Sequence, residues 1–121
     1  MTQKTREVLI ELLFLSLYLD EQLSLAEDEL LTKALDSLGW ESPTSREKFI
    51  FSAFSTAREV AACPIKTDAF LAERTGQIKR DAEEATAVTW LYRVLGSDGI
   101  SPSEQRFLSQ LEARLFPQTA D

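Results

Sequence analysis

The sequence predicts an all-α protein, a single helical bundle of about six to seven helices with an internal helix-turn-helix pseudo-repeat. Apolar residues recur at the three- and four-residue spacing of helices along most of the chain. Ser-x-x-Glu sequences, which are typical of helix starts, precede several of these apolar stretches. No segment sustains a two-residue alternation of apolar and polar residues, so we expect no strands. The 121 residues fit one domain, 1–121.

The first helix is expected from about Thr5 to Leu19. Its apolar residues surround most of the helix circumference, which is typical of a helix buried on every side. The apolar run from Val8 to Leu19 has only 12 residues and contains Glu11 and Ser16. Because a bilayer-spanning helix needs roughly 20 apolar residues, we expect a central core helix and no membrane span.

The second helix is predicted to begin after Ser24 and to stop at Gly39. Ser24 and Glu27 have the spacing of a capping box, in which each side chain bonds the backbone N–H of the other residue. Gly39 suits the left-handed position that ends many helices. The third helix is predicted to start at Thr44-Ser45-Arg46-Glu47, with Glu47 three residues after a hydroxyl cap, and Pro64 limits it.

Three further helices complete the prediction. A short fourth helix is expected to begin after Thr67 and to end at Gly76, and a fifth spans about Gln77 to Leu95. The last helix is capped by Ser101, has Pro102 at its first position and ends before Pro117.

One local pattern occurs twice in the chain. In each copy an apolar helix leads into an acidic turn, and an aliphatic residue followed by Ser-x-x-Glu then starts the next helix. The copies are Asp20-Glu21-Gln22-Leu23-Ser24-Leu25-Ala26-Glu27 and Ser97-Asp98-Gly99-Ile100-Ser101-Pro102-Ser103-Glu104. The repetition predicts two equivalent units, about 5–39 and 77–116, separated by middle helices in 44–76.

The acids of these turns have two interpretations. If the two units are related by pseudo-symmetry, their turns can lie side by side, and the repulsion between carboxylates held close together is relieved by a cation. The candidate ligands are Asp20, Glu21, Glu27, Asp98 and Glu104, and an all-oxygen set suits Ca²⁺, Mg²⁺ or Mn²⁺. Neither turn has the ligand spacing of an EF-hand, so an ion would be shared between them. In the alternative interpretation the acids only cap helices and complement helix dipoles.

The two motifs resemble the TerB-like domain, the tellurite-resistance fold that also occurs at the N-terminus of a membrane-anchored DnaJ-type co-chaperone. The family's usual wording is Ala-Asp-Gly-x-Val-Ser-x-x-Glu, and the matching acids here are Asp20, Glu27, Asp98 and Glu104. This chain has Glu21 where the motif favours Gly, and its second turn is one residue shorter. The resemblance implies a helical domain with a pseudo-twofold repeat, a divalent-cation site between the turns, and a role in bacterial tellurite, metal or general stress.

Composition limits the remaining functions. With 13 basic and 20 acidic side chains the formal net charge is −7, which disfavours nucleic acids and anionic lipids as partners. The run of Arg74, Lys79 and Arg80 is expected to be a solvated face. The chain has no histidine, so the commonest general base is missing and we do not expect an enzyme. Paired carboxylates such as Asp98 and Glu104 have no accompanying nucleophile or phosphate cradle.

Other residues indicate location and contacts. Cys63 is the only cysteine and is expected to be a structural thiol, and no signal-peptide cleavage site is evident, so a cytoplasmic location is expected. Trp40 and Trp90 are expected in the core. Phe51 is expected to point outward, which would mark a contact with a protein partner or with a second copy in a homodimer. That contact favours the alternative function, an acidic helical adaptor whose turn acids serve only as caps.

Overall fold

A computed structural model describes the backbone of residues 1–20, 25–96 and 100–116, and the side chains of these residues except those of residues 20 and 25–31. This part of the chain forms six helices and no strand, which confirms the predicted all-α fold. The helices are α1 (Gln3–Asp20), α2 (Leu25–Leu38), α3 (Arg46–Ala61), α4 (Pro64–Arg80), α5 (Glu84–Leu95) and α6 (Pro102–Leu115).

Helix α1 forms the centre of the bundle, as its all-round apolar pattern predicts. It contacts α3, α4, α5 and α6. Consecutive residues such as Leu9 and Ile10 are both fully buried, so α1 has no solvent-facing side over its middle. Phe14 packs against Phe54 of α3 with ring centroids 4.4 Å apart. Such aromatic pairs stabilise a core beyond the area they bury.

Side-chain bonds fix the directions of the neighbouring helices. The Arg6 side chain near the start of α1 donates to the carbonyl of Leu38 at the end of α2, over 3.1 Å, so α2 is antiparallel to α1. Gly39 follows with a φ of 81°, which confirms the predicted left-handed end of α2. Helix α5 is joined to α2 by the Trp90 indole, which donates to the Ser37 hydroxyl over 3.4 Å.

Helix α3 begins one residue later than its sequence motif predicts. Ser45, not Thr44, is the N-cap, and its hydroxyl accepts from the backbone N–H of Lys48 over 3.2 Å. Because Lys48 then occupies the third helical position, Glu47 cannot complete a capping box. The carbonyl of Thr44 instead accepts from the Trp40 indole over 2.7 Å, which holds Thr44 in the preceding loop.

The predicted boundary between the fourth and fifth helices is wrong. Helix α4 begins at Pro64 and continues through Gly76 to Arg80, whereas α5 begins only at Glu84. A glycine inside a helix costs about 1 kcal/mol relative to alanine. The burial of Phe70, Leu71 and Ile78 on the same helix outweighs that cost, because each buried large apolar side chain contributes roughly 1.5–3 kcal/mol.

A Schellman motif ends α4 at residues 81–83. The N–H of Ala82 donates to the carbonyl of Lys79 over 3.0 Å, and the N–H of Glu83 donates to that of Ile78 over 3.2 Å. Ala82 adopts the left-handed conformation, with a φ of 54°, where glycine is the usual residue. The sequence pattern therefore misses this end.

The predicted second unit, about 77–116, begins too early. The second helix-turn-helix pair consists of α5 and α6, and residues 77–80 belong to α4.

Within the described ranges, no helix combines the length and the apolar character that crossing a membrane requires.

Candidate functional site

The second acidic turn leads into α6 through the capping box that the sequence predicts. The hydroxyl of Ser101 accepts from the backbone N–H of Glu104 over 3.1 Å, and a Glu104 carboxylate oxygen accepts from the N–H of Ser101 over 3.0 Å. Pro102 occupies the first helical turn, as predicted. The capping bond uses one of the two Glu104 carboxylate oxygens and fixes this side chain at the N-terminus of α6.

The other predicted cation ligands lie outside the described residues. Asp20 is the last residue of α1 and Glu27 lies in the first turn of α2, but their side chains are not described, nor are Glu21 and Asp98. Whether the two turns meet therefore stays a prediction. In the part of the chain that the structure describes, no group of three or more acidic or cysteine side chains is placed to hold a metal ion.

Helices α5 and α6, which flank the second turn, are linked by a side-chain bond. The Tyr92 hydroxyl donates a short hydrogen bond to the carboxylate of Glu112. This bond, together with burial, raises the pKa of the Tyr92 hydroxyl above its usual value, because the carboxylate disfavours a second negative charge beside it. The pairing fixes α6 against α5 independently of the turn.

A cluster of hydrogen bonds around Asp81 joins the end of α4 to the start of α1. Its carboxylate accepts from the hydroxyls of Thr2 and Thr5 over 2.6 Å and 3.0 Å, and from the side-chain amide of Gln77 over 3.3 Å. These hydrogen bonds, that of Thr2 foremost, hold the pKa of Asp81 below its usual value. They also satisfy the hydroxyl of Thr5, which is fully buried.

A second, deeper contact between α1 and α4 is the ion pair of Glu11 and Arg74. Two guanidinium nitrogens of Arg74 donate to the two carboxylate oxygens of Glu11 over 3.1 Å and 3.0 Å. The guanidinium also lies 4.4 Å from the centroid of the Phe70 ring, a cation–π geometry. Arg74 is therefore a structural partner of Glu11, and the expectation that it belongs to a solvated basic face is wrong.

Burial and pairing act against each other in this ion pair, and burial determines the direction only for Glu11. Desolvation raises the pKa of the Glu11 carboxyl, and the hydrogen bonds and charge of Arg74 reverse only part of that increase. For Arg74 burial acts in the opposite sense, but the hydrogen bond and charge of Glu11 prevail and raise its pKa. The carboxylate is thus the partner that loses more from leaving water.

Two large apolar side chains, one on α3 and one on α4, are almost fully exposed. Phe51 has 82% of its surface exposed and Ile65, at the start of α4, has 81%, which confirms the prediction for Phe51. Trp90 is buried, as expected, and Trp40 is half-buried against Phe49.

Cys63 is the residue that precedes α4 and is half-exposed. The backbone N–H groups of Lys66 and Ile65 lower the pKa of its thiol, because unpaired N–H groups at a helix N-terminus stabilise a negative charge.

Comparison of the chain with protein-family models, with curated proteins and with solved structures finds no match. The family resemblance therefore depends on the two motifs alone.

Proposed function

We propose that the protein is a non-catalytic, TerB-like helical domain that binds a divalent cation through its two acidic turns and acts in a tellurite, metal or general stress response. The observation that carries the proposal is the repeated acidic turn between α1 and α2 and between α5 and α6. In the second unit the Ser-x-x-Glu of the motif forms a complete capping box. That box holds the Glu104 carboxylate at the N-terminus of α6, and we propose that it shares an ion with Asp98.

The ligand chemistry supports a hard cation. The chain has no histidine and one cysteine, so the available ligands are carboxylate, hydroxyl and carbonyl oxygens. Oxygen donors favour Ca²⁺, Mg²⁺ and Mn²⁺. The five candidate acids would repel one another if the turns meet, and this repulsion would give the binding free energy a large electrostatic component.

Calorimetric titration of the EDTA-stripped protein with Ca²⁺, Mg²⁺ and Mn²⁺ tests the proposal. We expect saturable binding of at least one ion and a loss of about tenfold or more in affinity for Asp98→Asn and for Asp20→Asn, since each removes a charged ligand. Glu47→Gln is the control, because Glu47 is an exposed acid of α3 outside both turns. Absence of binding for all three ions, or equal losses for Glu47→Gln, would contradict cation binding and leave the fold unaffected.

A second candidate function, an acidic helical adaptor, is favoured by the exposure of Phe51. An aromatic ring that is 82% exposed is costly to leave in water and is typical of a contact with another protein. The net charge of −7 would select a partner with a basic surface.

A pull-down tests the adaptor function. The recovery of a partner that the protein captures is measured with increasing salt, with Phe51→Ser and with EDTA. We expect recovery to fall with increasing salt, to fall for Phe51→Ser and to be unaffected by EDTA. Ala72→Ser, a change at another exposed helical site, is the control. A partner that is retained by Phe51→Ser but released by EDTA would favour the cation proposal over the adaptor.

A further inference from the structure

A polar groove lies between α1, α3 and α4, on the half of α1 that is far from the acidic turn after Asp20. Helices α3 and α4 are joined by a tight connection at residues 62–63, and Phe49 of α3 lines the groove together with residues of α1 and α4. The groove has a volume of about 340 Å³, at the small end of the roughly 300–1,000 Å³ of ligand sites. Its size is suited to a molecule no larger than an amino acid with a few waters.

Two cations lie at one end of the groove. Lys4 of α1 and Arg80 of α4 both line it, and they lie at the same level because their neighbours Thr5 and Asp81 are hydrogen-bonded. Among the described residues neither cation forms an ion pair. The charge of Arg80 also acts on Asp81, but neither cation has a described carboxylate within ion-pair distance. On a chain with a net charge of −7, two such cations that line one concave surface are a local site for an anionic group.

The Arg80 cation is held in position by its own helix. Its guanidinium donates to the side-chain oxygen of Gln77 over 2.9 Å, and the Gln77 amide donates to Asp81 over 3.3 Å. Asp81 is in turn bonded to Thr2 and Thr5 of α1. This chain of bonds preorganises Arg80, which reduces the entropy lost when a ligand binds.

An acid follows the cations along the groove. Glu7 lies one turn after Lys4, about 4.5 Å along the helix axis, and also lines the groove. Its described contact is a long bond from the Gln3 amide at 3.5 Å, and it forms no ion pair with the described residues. A ligand with only negative charge would meet this carboxylate next to the cations. A ligand with a positive group beside its negative group would match both.

Another part of the groove combines paired charges with an apolar wall. Glu11 and Arg74 are joined by two hydrogen bonds, and Arg74 also forms an ion pair with Glu73, a mostly exposed acid that lines the groove. Arg74 therefore has two carboxylate partners already and needs none from a ligand. Val8 is buried, and half-buried Phe49 faces the same space, backed by Trp40 with ring centroids 5.4 Å apart. An apolar or aromatic group can pack on this wall.

We propose that the groove binds a small zwitterion that carries an apolar group, with the chemistry of a free hydrophobic amino acid. Its carboxylate binds Lys4 and Arg80, its ammonium group binds Glu7, and its side chain packs on Val8 and Phe49. Binding at this site is independent of the acidic turns and of any cation there.

The test uses the ¹⁵N-labelled full chain and three probes of matched shape. L-Phenylalanine carries both charges, 3-phenylpropionate lacks the ammonium group, and phenethylamine lacks the carboxylate. We expect saturable amide shifts with L-phenylalanine that are confined to residues 4–11, 49 and 74–80. Each singly charged probe should bind at least about tenfold more weakly, since each loses one charge-assisted contact.

Variants assign each charge to its residue. The double variant Lys4→Gln/Arg80→Gln should bind L-phenylalanine about tenfold more weakly than the wild type and bind phenethylamine with unchanged affinity. Glu7→Gln should also bind L-phenylalanine more weakly, but its affinity for 3-phenylpropionate should not fall. Lys79→Gln is the control for the cations, because exposed Lys79 adjoins Arg80 but does not line the groove. Glu47→Gln is the control for the acid, and both controls should bind as wild type.

Three results would overturn the proposal. They are the absence of saturable shifts with L-phenylalanine, equal binding of L-phenylalanine and either singly charged probe, and an equal loss in Lys79→Gln. The comparison of the three probes on the wild-type chain decides the proposal even if a variant fails to fold.

Discussion

Glu11 and Asp81 both attach α4 to α1, but the protein shifts their pKa values in opposite directions. The Glu11 side chain is only 13% exposed, and loss of water raises its pKa although Arg74 bonds both of its oxygens. Asp81 lies at the surface, and three side-chain donors lower its pKa. The difference shows that hydrogen bonds lower the pKa of a carboxyl group when its other lone pairs remain in water, whereas burial can outweigh them when they do not.

The largest predicted effect on stability follows from replacing Arg74, the partner of the buried Glu11. Arg74→Met should lower the free energy of unfolding by roughly 2–3 kcal/mol at pH 7, because Glu11 is left in the interior without its cation. The loss should be smaller at low pH, where protonated Glu11 needs no cation. Urea unfolding at several pH values measures both effects.

The double variant Glu11→Leu/Arg74→Met is the control for this prediction. Replacing both members of a buried pair with apolar residues is often close to neutral, so we expect most of the lost stability to return. A double variant as unstable as Arg74→Met would show that desolvation of Glu11 is not the cause.

Asp81→Asn should have a smaller effect, which also disappears in acid but at a lower pH than the effect of Arg74→Met. Because the folded-state pKa of Asp81 is lowered, its contribution to stability is complete above the unfolded value of about 3.9. It is lost as the pH falls through the lower folded value. The urea midpoints of the variant and the wild type should therefore converge in acid, and a difference that persists at low pH would contradict this assignment.

Part of this architecture follows from sequence patterns. The all-round apolar pattern of α1, the left-handed Gly39 and the Ser101–Glu104 capping box are local signals, and the structure confirms all three. Each is decided within a few residues of chain, where propensity and capping dominate.

The rest depends on contacts between distant residues. Gly76 indicates a helix end locally, but the contacts of α4 with α1 keep it helical. Asp81 has no motif of its own, because its donors Thr2 and Thr5 are more than 70 positions away. A single acid in an apolar run, such as Glu11, does indicate a buried partner, yet the sequence offers several arginines and does not identify Arg74.

A third prediction concerns the turn that Asp81 precedes. Ala82→Gly should stabilise the protein by about 0.5 kcal/mol, since glycine relieves the left-handed strain of a side-chain-bearing residue but gains freedom in the unfolded chain. Ala72→Gly, in the exposed middle of α4, should instead destabilise it by about 1 kcal/mol. Both variants replace alanine with glycine, so thermal unfolding compares the two positions directly. A change of the same sign in the stability of Ala82→Gly and Ala72→Gly would contradict the prediction.

The smallest effect on stability is expected at Cys63, whose thiol can be compared with the Asp81 carboxyl. Cys63, like Asp81, is a surface group whose pKa is lowered by hydrogen-bond donors, so stability should hardly change but reactivity should. The rate of alkylation by iodoacetamide should reach half its maximum at a lower pH than for a cysteine in an unstructured peptide. A midpoint equal to that of the peptide would show that the helix N-terminus has no influence on the thiol.

The contrast between Glu11 and Asp81 is tested most directly by following both side-chain carboxyl carbons by NMR as a function of pH. We predict that Glu11 titrates above the usual value for glutamate, near 4.3, and that Asp81 titrates below the usual value for aspartate, near 3.9. Titration of Glu11 below its usual value, or of Asp81 above its own, would contradict the account of how α4 is held against α1.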